Sequence, residues 1–310
     1  MTAFATVINR LTALGILIAL GYFLTKKKIM PEAFPKVLVD FIVKVIIPLF
    51  AIVALQVEFS KEMLVNGGLV FVTTLIVFSI GGIVGFLTSK LFKIQKLRKG
   101  MWIYTSMMSN SIFMGFPVLQ AVFGNDVLFY LTILNLACNI VQFTLGIYIV
   151  SYYGGEKANI DIKKLLITPL NISIIIGIFL FISQIKLPTA IMTAGEMITS
   201  TMTPLALVYI GTMLSQNSLK EIVGDKDVYL LSVIRLIIMP VLAYFILNAF
   251  ITDTMVLGSV VIATGAMPAP AMGALFVGQY GGDTKFASKL VFLSTFLCGI
   301  TVPIVCLLFI

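Results

Sequence analysis

The sequence predicts an all-α integral membrane protein of ten transmembrane helices, arranged as two inverted repeats of five. Of its 310 residues, 60% are hydrophobic and 11% charged, against roughly 45–50% and about 25% in soluble globular chains. The mean hydropathy is +1.11, and the apolar residues fall in runs close to the ~20 needed to cross ~30 Å of hydrocarbon. Three short anchors also recur about half a chain apart: KIMP ending at Pro31 with IKLP ending at Pro188, PLFAIVAL from Pro48 with PLALVYIG from Pro204, and FGND at 123–126 with YGGD at 280–283. Their offsets of 157, 156 and 157 residues divide the chain into repeats at 1–155 and 156–310. Five spans per repeat is an odd number, so the second copy enters the membrane upside down relative to the first.

Taken in order, the first span covers about residues 4–24. Its lysine cluster follows the apolar run, and no small-residue cleavage site is evident, so it reads as a mature helix and not a signal peptide. The second, about 37–57, carries Asp40 and Lys44 four residues apart, a spacing at which two charges neutralise each other on a helix. The third covers about 64–89, and the fourth, about 101–123, holds Asn110, Ser111, Gly115 and Pro117 near its middle. The fifth, about 127–150, carries a polar stripe of Asn135, Asn139 and Gln142 at helical spacing; such residues bond neighbouring helices or face a pocket. The longest connection, GGEKANIDIKK at 154–164, is too short for a soluble domain. The sixth and seventh spans follow at about 166–184 and 190–214, with Glu196 near the outer end of the seventh. The eighth, about 228–250, contains Arg235, the only arginine deep in an apolar run, and then Pro240. The ninth, about 255–280, has Pro268 and Pro270 at mid-depth with Gly265 and Gly273 around them, and the tenth covers about 286–309.

With these spans the basic residues sort by side. Of 21 Lys and Arg, sixteen fall in the connections after spans one, three, five, seven and nine; only Arg10, Lys61 and Lys186 lie on the other side, and Lys44 and Arg235 are inside spans. The bias predicts that the lysine-rich connections are cytoplasmic and that both termini face outside. It also explains the net charge of +8 as a topology signal, so no nucleic-acid partner is expected. Cys138, Cys298 and Cys306 all lie in apolar runs without a CxxC pair and read as small core residues. The chain has no histidine, which removes imidazole metal sites, triads and proton relays together. No cofactor and no metal are expected.

The fourth and ninth spans point to a function. Proline in a helix interior costs about 3 kcal/mol or more, and irregular backbone at membrane depth is tolerated only inside protein or around a water-filled cavity. Inverted repeats with broken helices at matching positions are a hallmark of secondary transporters, with substrate held at the breaks. Each break leaves unpaired N–H groups at the start of a half-helix, and their partial positive charge attracts anions. Asn110 and Ser111 add neutral donors suited to a carboxylate. Arg235 has two readings, as an attractor of the substrate anion or as a packing or snorkelling charge.

SNSIFMGFPVL at 109–119, with FG soon after, closely resembles the fourth-span motif of the auxin efflux carrier family, which includes plant exporters and many bacterial permeases. The resemblance extends along the chain through Met267–Pro268, YGGD and Pro303. It implies broken fourth and ninth helices crossing at the centre, a scaffold and a transport subdomain, and elevator-like movement of an organic anion such as malate or malonate across the cell membrane. Carried over by position, it implies that Asn110 contacts substrate and that Pro117 marks one crossover. In the ninth span the family pattern has a second proline where this chain has Gly273, with Pro270 three residues earlier. The substrate-binding set expected is Asn110, Ser111, Gly115, Pro117, Pro268, Pro270 and Gly273, with Arg235, Asn135 and Asn139. The partners expected are the anion, the lipid bilayer and a coupling ion, H+ or Na+; a homodimer stays open. A sodium-coupled carrier of the bile-acid type and a membrane sensor without transport are the competing functions. An intramembrane enzyme is disfavoured, because paired acids and imidazoles are missing at depth.

Overall fold

Large apolar side chains face outward in this protein and polar ones face inward, the reverse of a soluble fold. Phe23, Val72, Ile83, Phe179 and Phe245 are exposed, whereas Asn110, Asn135, Asn139 and Arg235 are buried. Hydrocarbon is the solvent that makes such a distribution favourable, since it leaves polar groups to pair with one another. The computed structural model describes residues 3–31, 33–155, 167–215 and 224–309. Lys157, Lys163, Lys164 and Lys220 of the expected cytoplasmic connections lie outside the described residues.

The described residues form helices and no strand. They are α1 (Ala3–Lys26), α2 (Phe34–Ala54), α3 (Lys61–Leu91), α4 (Lys96–Met107), α5 (111–123), α6 (Val127–Gly154) and α7 (Pro169–Ser183). There follow α8 (Thr189–Thr199), α9 (Met202–Ser215), α10 (Lys226–Leu247), α11 (Thr254–Ala266), α12 (Ala271–Tyr280) and α13 (Thr284–Phe309). Six stretches are long and apolar enough to cross a membrane: α2, α3, α6, the α8–α9 pair, α10 and α13. The α11–α12 pair makes a seventh, bent by 42° at its break, and α1 and α7 contribute shorter apolar helices. The chain is therefore an all-helical, multi-pass membrane protein.

Helix starts follow ordinary capping chemistry. Ser60, Thr168 and Asp253 accept hydrogen bonds from the N–H groups of Met63, Asn171 and Val256 at 3.4, 3.1 and 2.9 Å, which satisfies donors left over in a first turn. Two glycines end the half-helices. Gly124 after α5 has φ +79° and Gly281 after α12 has φ +85°, values that a side chain makes costly. These are the equivalent glycines of FGND and YGGD.

Proline behaves differently from the sequence expectation. Pro48, Pro117 and Pro240 do not break α2, α5 or α10; each sits just past a widened π-turn, at Ile42–Ile46, Ser111–Gly115 and Ile234–Ile238. An i→i+5 turn makes room for the ring and for the missing N–H. The α4/α5 break lies earlier, at residues 108–110, where Met108 is extended (φ −104°, ψ 153°). The expectation that Pro117 marks the crossover is thus corrected. The α11/α12 break falls where expected, at 267–270, because residues preceding Pro268 and Pro270 are pushed out of the helical region.

The helices pack as two bodies. One holds α1, α2, α7, α8 and α9, and the other holds α3–α6 and α10–α13. In the first, α1 and α9 meet at Gly21 and Gly211, where an added Cβ would land on the backbone of Val208 or Ile18; small residues allow this approach between membrane helices. In the second, Arg98 ties three helix ends, pairing with Asp225, Asp227 and Asp283 at 2.9, 2.9 and 2.8 Å. Burial alone would raise the Asp283 carboxyl, but the Phe286 N–H and the Arg98 guanidinium outweigh it and hold it below the usual carboxylate range. The Asp40–Lys44 pair forms as expected, at 3.1 Å on an exposed face. Glu196 is exposed.

Candidate functional site

The two breaks touch. The Asn110 N–H donates to the Pro268 carbonyl at 3.0 Å, and the Ser109 hydroxyl donates to the Ala263 carbonyl at 2.5 Å. Ser294 on α13 supports the second break by accepting from the Ala269 N–H at 3.0 Å. The chain therefore crosses itself in the interior, with α5 and α12 both starting at the crossing.

Those two starts open on one cavity. The N–H groups of Ser111, Ile112 and Phe113 precede the first intrahelical donors of α5, and those of Ala271 and Met272 do the same for α12. All five residues line a cavity of about 30 Å³ together with Asn110, Asn139, Gln142 and Pro270. Two aligned helix starts bring about half a positive charge each, while the amides of Asn110, Asn139 and Gln142 add donors without fixed charge. Asn110 is 7% exposed, and among the described residues its side chain makes no hydrogen bond within the protein. The recess thus gathers backbone N–H groups of two helix starts with neutral amide side chains.

A volume of 30 Å³ holds water rather than a carboxylate. A second cavity of about 210 Å³ shares Asn110 and Ala271 with it and extends past Tyr209, Met213 and Thr295. Asn110 thus stands between a tight polar recess and a space large enough for a small organic ion. Tyr209 and Met213 belong to the other helical body, so the combined site lies at the interface of the two. Another cavity, about 420 Å³ between α1, α5, α9 and α13, is walled mostly by apolar side chains such as Leu14, Ile18, Met114 and Val302. Thr12 and Cys298 are the polar side chains among the residues that line it.

Of the residues expected from the sequence, Asn110, Ser111, Asn139 and Pro270 meet around the polar recess. Gly115 faces Met267 and Ala263, which an added Cβ would meet at ordinary van der Waals distance. Pro268 contributes its carbonyl to the crossing. Gly273 lies against Tyr104 and Met101, where an added Cβ would come within 2.8 Å of both; it sets the approach of α12 to α4 and does not face the recess. Asn135 is buried and donates to the Leu131 carbonyl at 2.7 Å, one turn away from the recess. Arg235 is fully buried with its guanidinium on the backbone carbonyls of Ser106, Thr264 and Met267, where the two helices end, and it lines neither of the two cavities that share Asn110.

Three participants were not singled out from sequence. Cys138, read as core, lines the recess with its sulfur 3.4 Å from the Ser111 hydroxyl. Asn171 on α7 accepts from Asn139 at 3.4 Å across the two bodies. Ala271 supplies only backbone, which leaves no mark in a sequence except the preceding proline.

Residues 6–306 match the family described as membrane transport protein. An uncharacterised transporter of Methanocaldococcus jannaschii is 27% identical over 288 residues, covering 90% of this chain and 91% of its own. An uncharacterised transporter of Methanothermobacter thermautotrophicus is 24% identical over 293 residues, covering 93% and 94%. A match over nearly the whole chain to one family of membrane carriers decides the membership: this chain belongs to the membrane transport protein family, that of the auxin efflux carriers.

Proposed function

We propose that this protein is a secondary transporter that carries a small organic anion, a carboxylate, across the cell membrane by alternating access. The observation that carries the reading is the convergence of the α5 and α12 starts, with Asn110, Asn139 and Gln142, on one buried recess. Helix starts bind anions, and neutral amides let the ion leave again, which permanent charges at the site would oppose.

An elevator-like movement of the α3–α6, α10–α13 body past the other body fits the interface. Its contacts are largely apolar and aromatic, including Phe113 with Tyr209, Phe50 with Phe116 and Phe129 with Phe181, at ring distances of 5.2, 4.9 and 5.0 Å. Cross-body hydrogen bonds include Asn139 to Asn171 at 3.4 Å and Thr203 to Gln120 at 3.1 Å. Ten spans in two inverted repeats, 1–155 and 156–310, supply the two-fold relation that such movement exploits; the matched glycines Gly124 and Gly281, both with positive φ, support the repeat. The lysine-rich connections are cytoplasmic and the termini outside. The test is uptake of radiolabelled short carboxylates into proteoliposomes, with and without sodium. Saturable uptake of a carboxylate supports the reading, and no flux of any carboxylate despite measurable binding would replace it with a sensor.

A further inference from the structure

Arg235 is the one charged side chain that the described spans bury completely, and its partners are not acids. Its Nε donates to the Met267 carbonyl at 3.0 Å, Nη1 to the Ser106 carbonyl at 3.3 Å, and Nη2 to the Thr264 carbonyl. Among the described residues no carboxylate pairs with it. Ser106 lies in the last turn of α4, Thr264 in the last turn of α11, and Met267 follows that helix directly. Both half-helices that end at the crossing therefore end on one guanidinium.

The charges balance. Each helix C-terminus carries about −0.5 of an elementary charge, so two of them offset the single positive charge of an arginine, a group that stays protonated in proteins. Other donors take the neighbouring carbonyls. Ser109 occupies Ala263, the Cys298 thiol lies 3.8 Å from that of Ala266, and the Asn110 N–H occupies Pro268. Carbonyls at broken helices are where carriers commonly hold a coupling cation; here a side chain already fills them.

We propose that Arg235 is a resident cation of the crossover: it positions α4 and α11, cancels the negative ends of the half-helices, and takes the place of a coupling ion there. Arg235 is a positioning residue that does not touch the substrate. By neutralising the negative ends it leaves the α5 and α12 starts as the uncompensated charge of the crossing, so that the recess attracts an anion. That electrostatic consequence rests on the transport reading above; the positioning role does not.

The test begins without any substrate. Arg235→Lys, Arg235→Met and Arg235→Ala are compared with the unsubstituted protein by heat stability of the detergent-extracted protein, a measurement that also works on poorly folding variants. Unsatisfied buried carbonyls lower the apparent Tm of the Met and Ala variants by roughly 5–10 °C, the Lys variant falls between, and guanidinium far below denaturing concentration restores the Ala variant while leaving the unsubstituted protein unchanged. A Met variant as stable as the Lys variant, or an Ala variant indifferent to guanidinium, would overturn the proposal. In proteoliposomes, uptake by the unsubstituted protein stays the same when sodium is replaced by choline; loss of uptake would overturn the replacement of a coupling ion. If no carboxylate is taken up at all, the transport reading fails while the heat-stability series still decides the role of Arg235.

Discussion

Replacing Asn110 with alanine separates binding from folding at this site. The Asn110 side chain makes no hydrogen bond within the protein among the described residues, and its backbone N–H, which alanine keeps, supplies the 3.0 Å bond to Pro268. Folding stability should therefore change by less than about 1 kcal/mol, as for a substitution that removes no buried interaction. Binding should suffer more, because a hydrogen bond from the amide to a carboxylate contributes about 1.5–3 kcal/mol, and its loss weakens affinity roughly 10- to 150-fold. Heat stability of the purified variant without ligand, alongside uptake of the carboxylate in proteoliposomes, reads both quantities. Uptake equal to that of the unsubstituted protein would refute the assignment. So would a large fall in ligand-free stability, since Asn110 would then hold the fold instead of the substrate.

Other outcomes follow from neighbouring features. Alkylation of Cys138 with a small maleimide should block uptake, and substrate should protect it, because its thiol lines the recess beside Ser111; labelling rates by mass spectrometry, with and without carboxylate, check this. Arg98→Ala should cost about 2 kcal/mol, less than the ~3–5 of a fully buried pair, because the Arg98 side chain keeps 19% exposure. Asp283, whose folded carboxyl is held below the ordinary range, contributes stability that is full above about pH 4 and lost as pH falls through its folded value; heat stability between neutral and acid pH should decline on that limb, and the decline should be shallower in Arg98→Ala, where the Phe286 N–H still holds the carboxyl down. A single cysteine placed at position 158, in a background lacking the three native ones, should label only from the cytoplasmic side; labelling from outside would overturn the topology.

Much of the fold was legible because membrane helices announce themselves by length. Runs near twenty apolar residues predicted where the helical stretches lie, though not the division of the seventh run into α8 and α9, and the Lys44–Asp40 pair needed only helical spacing. The breaks were legible by kind and only half by place. Pro268 and Pro270 sit in the second break because a residue before proline avoids the helical region. The first break contains no proline or glycine; Ser109 and Asn110, weak helix formers, leave the helix where the Ala263 and Pro268 carbonyls accept hydrogen bonds from them. Pro117, the obvious breaker, is instead absorbed by a π-turn. The site divides in the same way. Asn110, Ser111 and Asn139 were visible as polar side chains out of place in hydrocarbon, whereas the carbonyl partners of Arg235 belong to the backbone, and only the folded crossing brings them together.

The central claim is that the crossed helix starts hold an anion because it is an anion. The measurement closest to it is the heat stability of the purified protein titrated with a short carboxylate and, separately, with the uncharged amide of the same carbon skeleton. Ligand at about a hundredfold its Kd stabilises the folded state by about 2.7 kcal/mol, so the carboxylate should raise the Tm in a saturable way, the amide should not, and Asn110→Ala should shift the carboxylate curve to higher concentration. Equal stabilisation by the amide, or a carboxylate response that Asn110→Ala leaves in place, would contradict it.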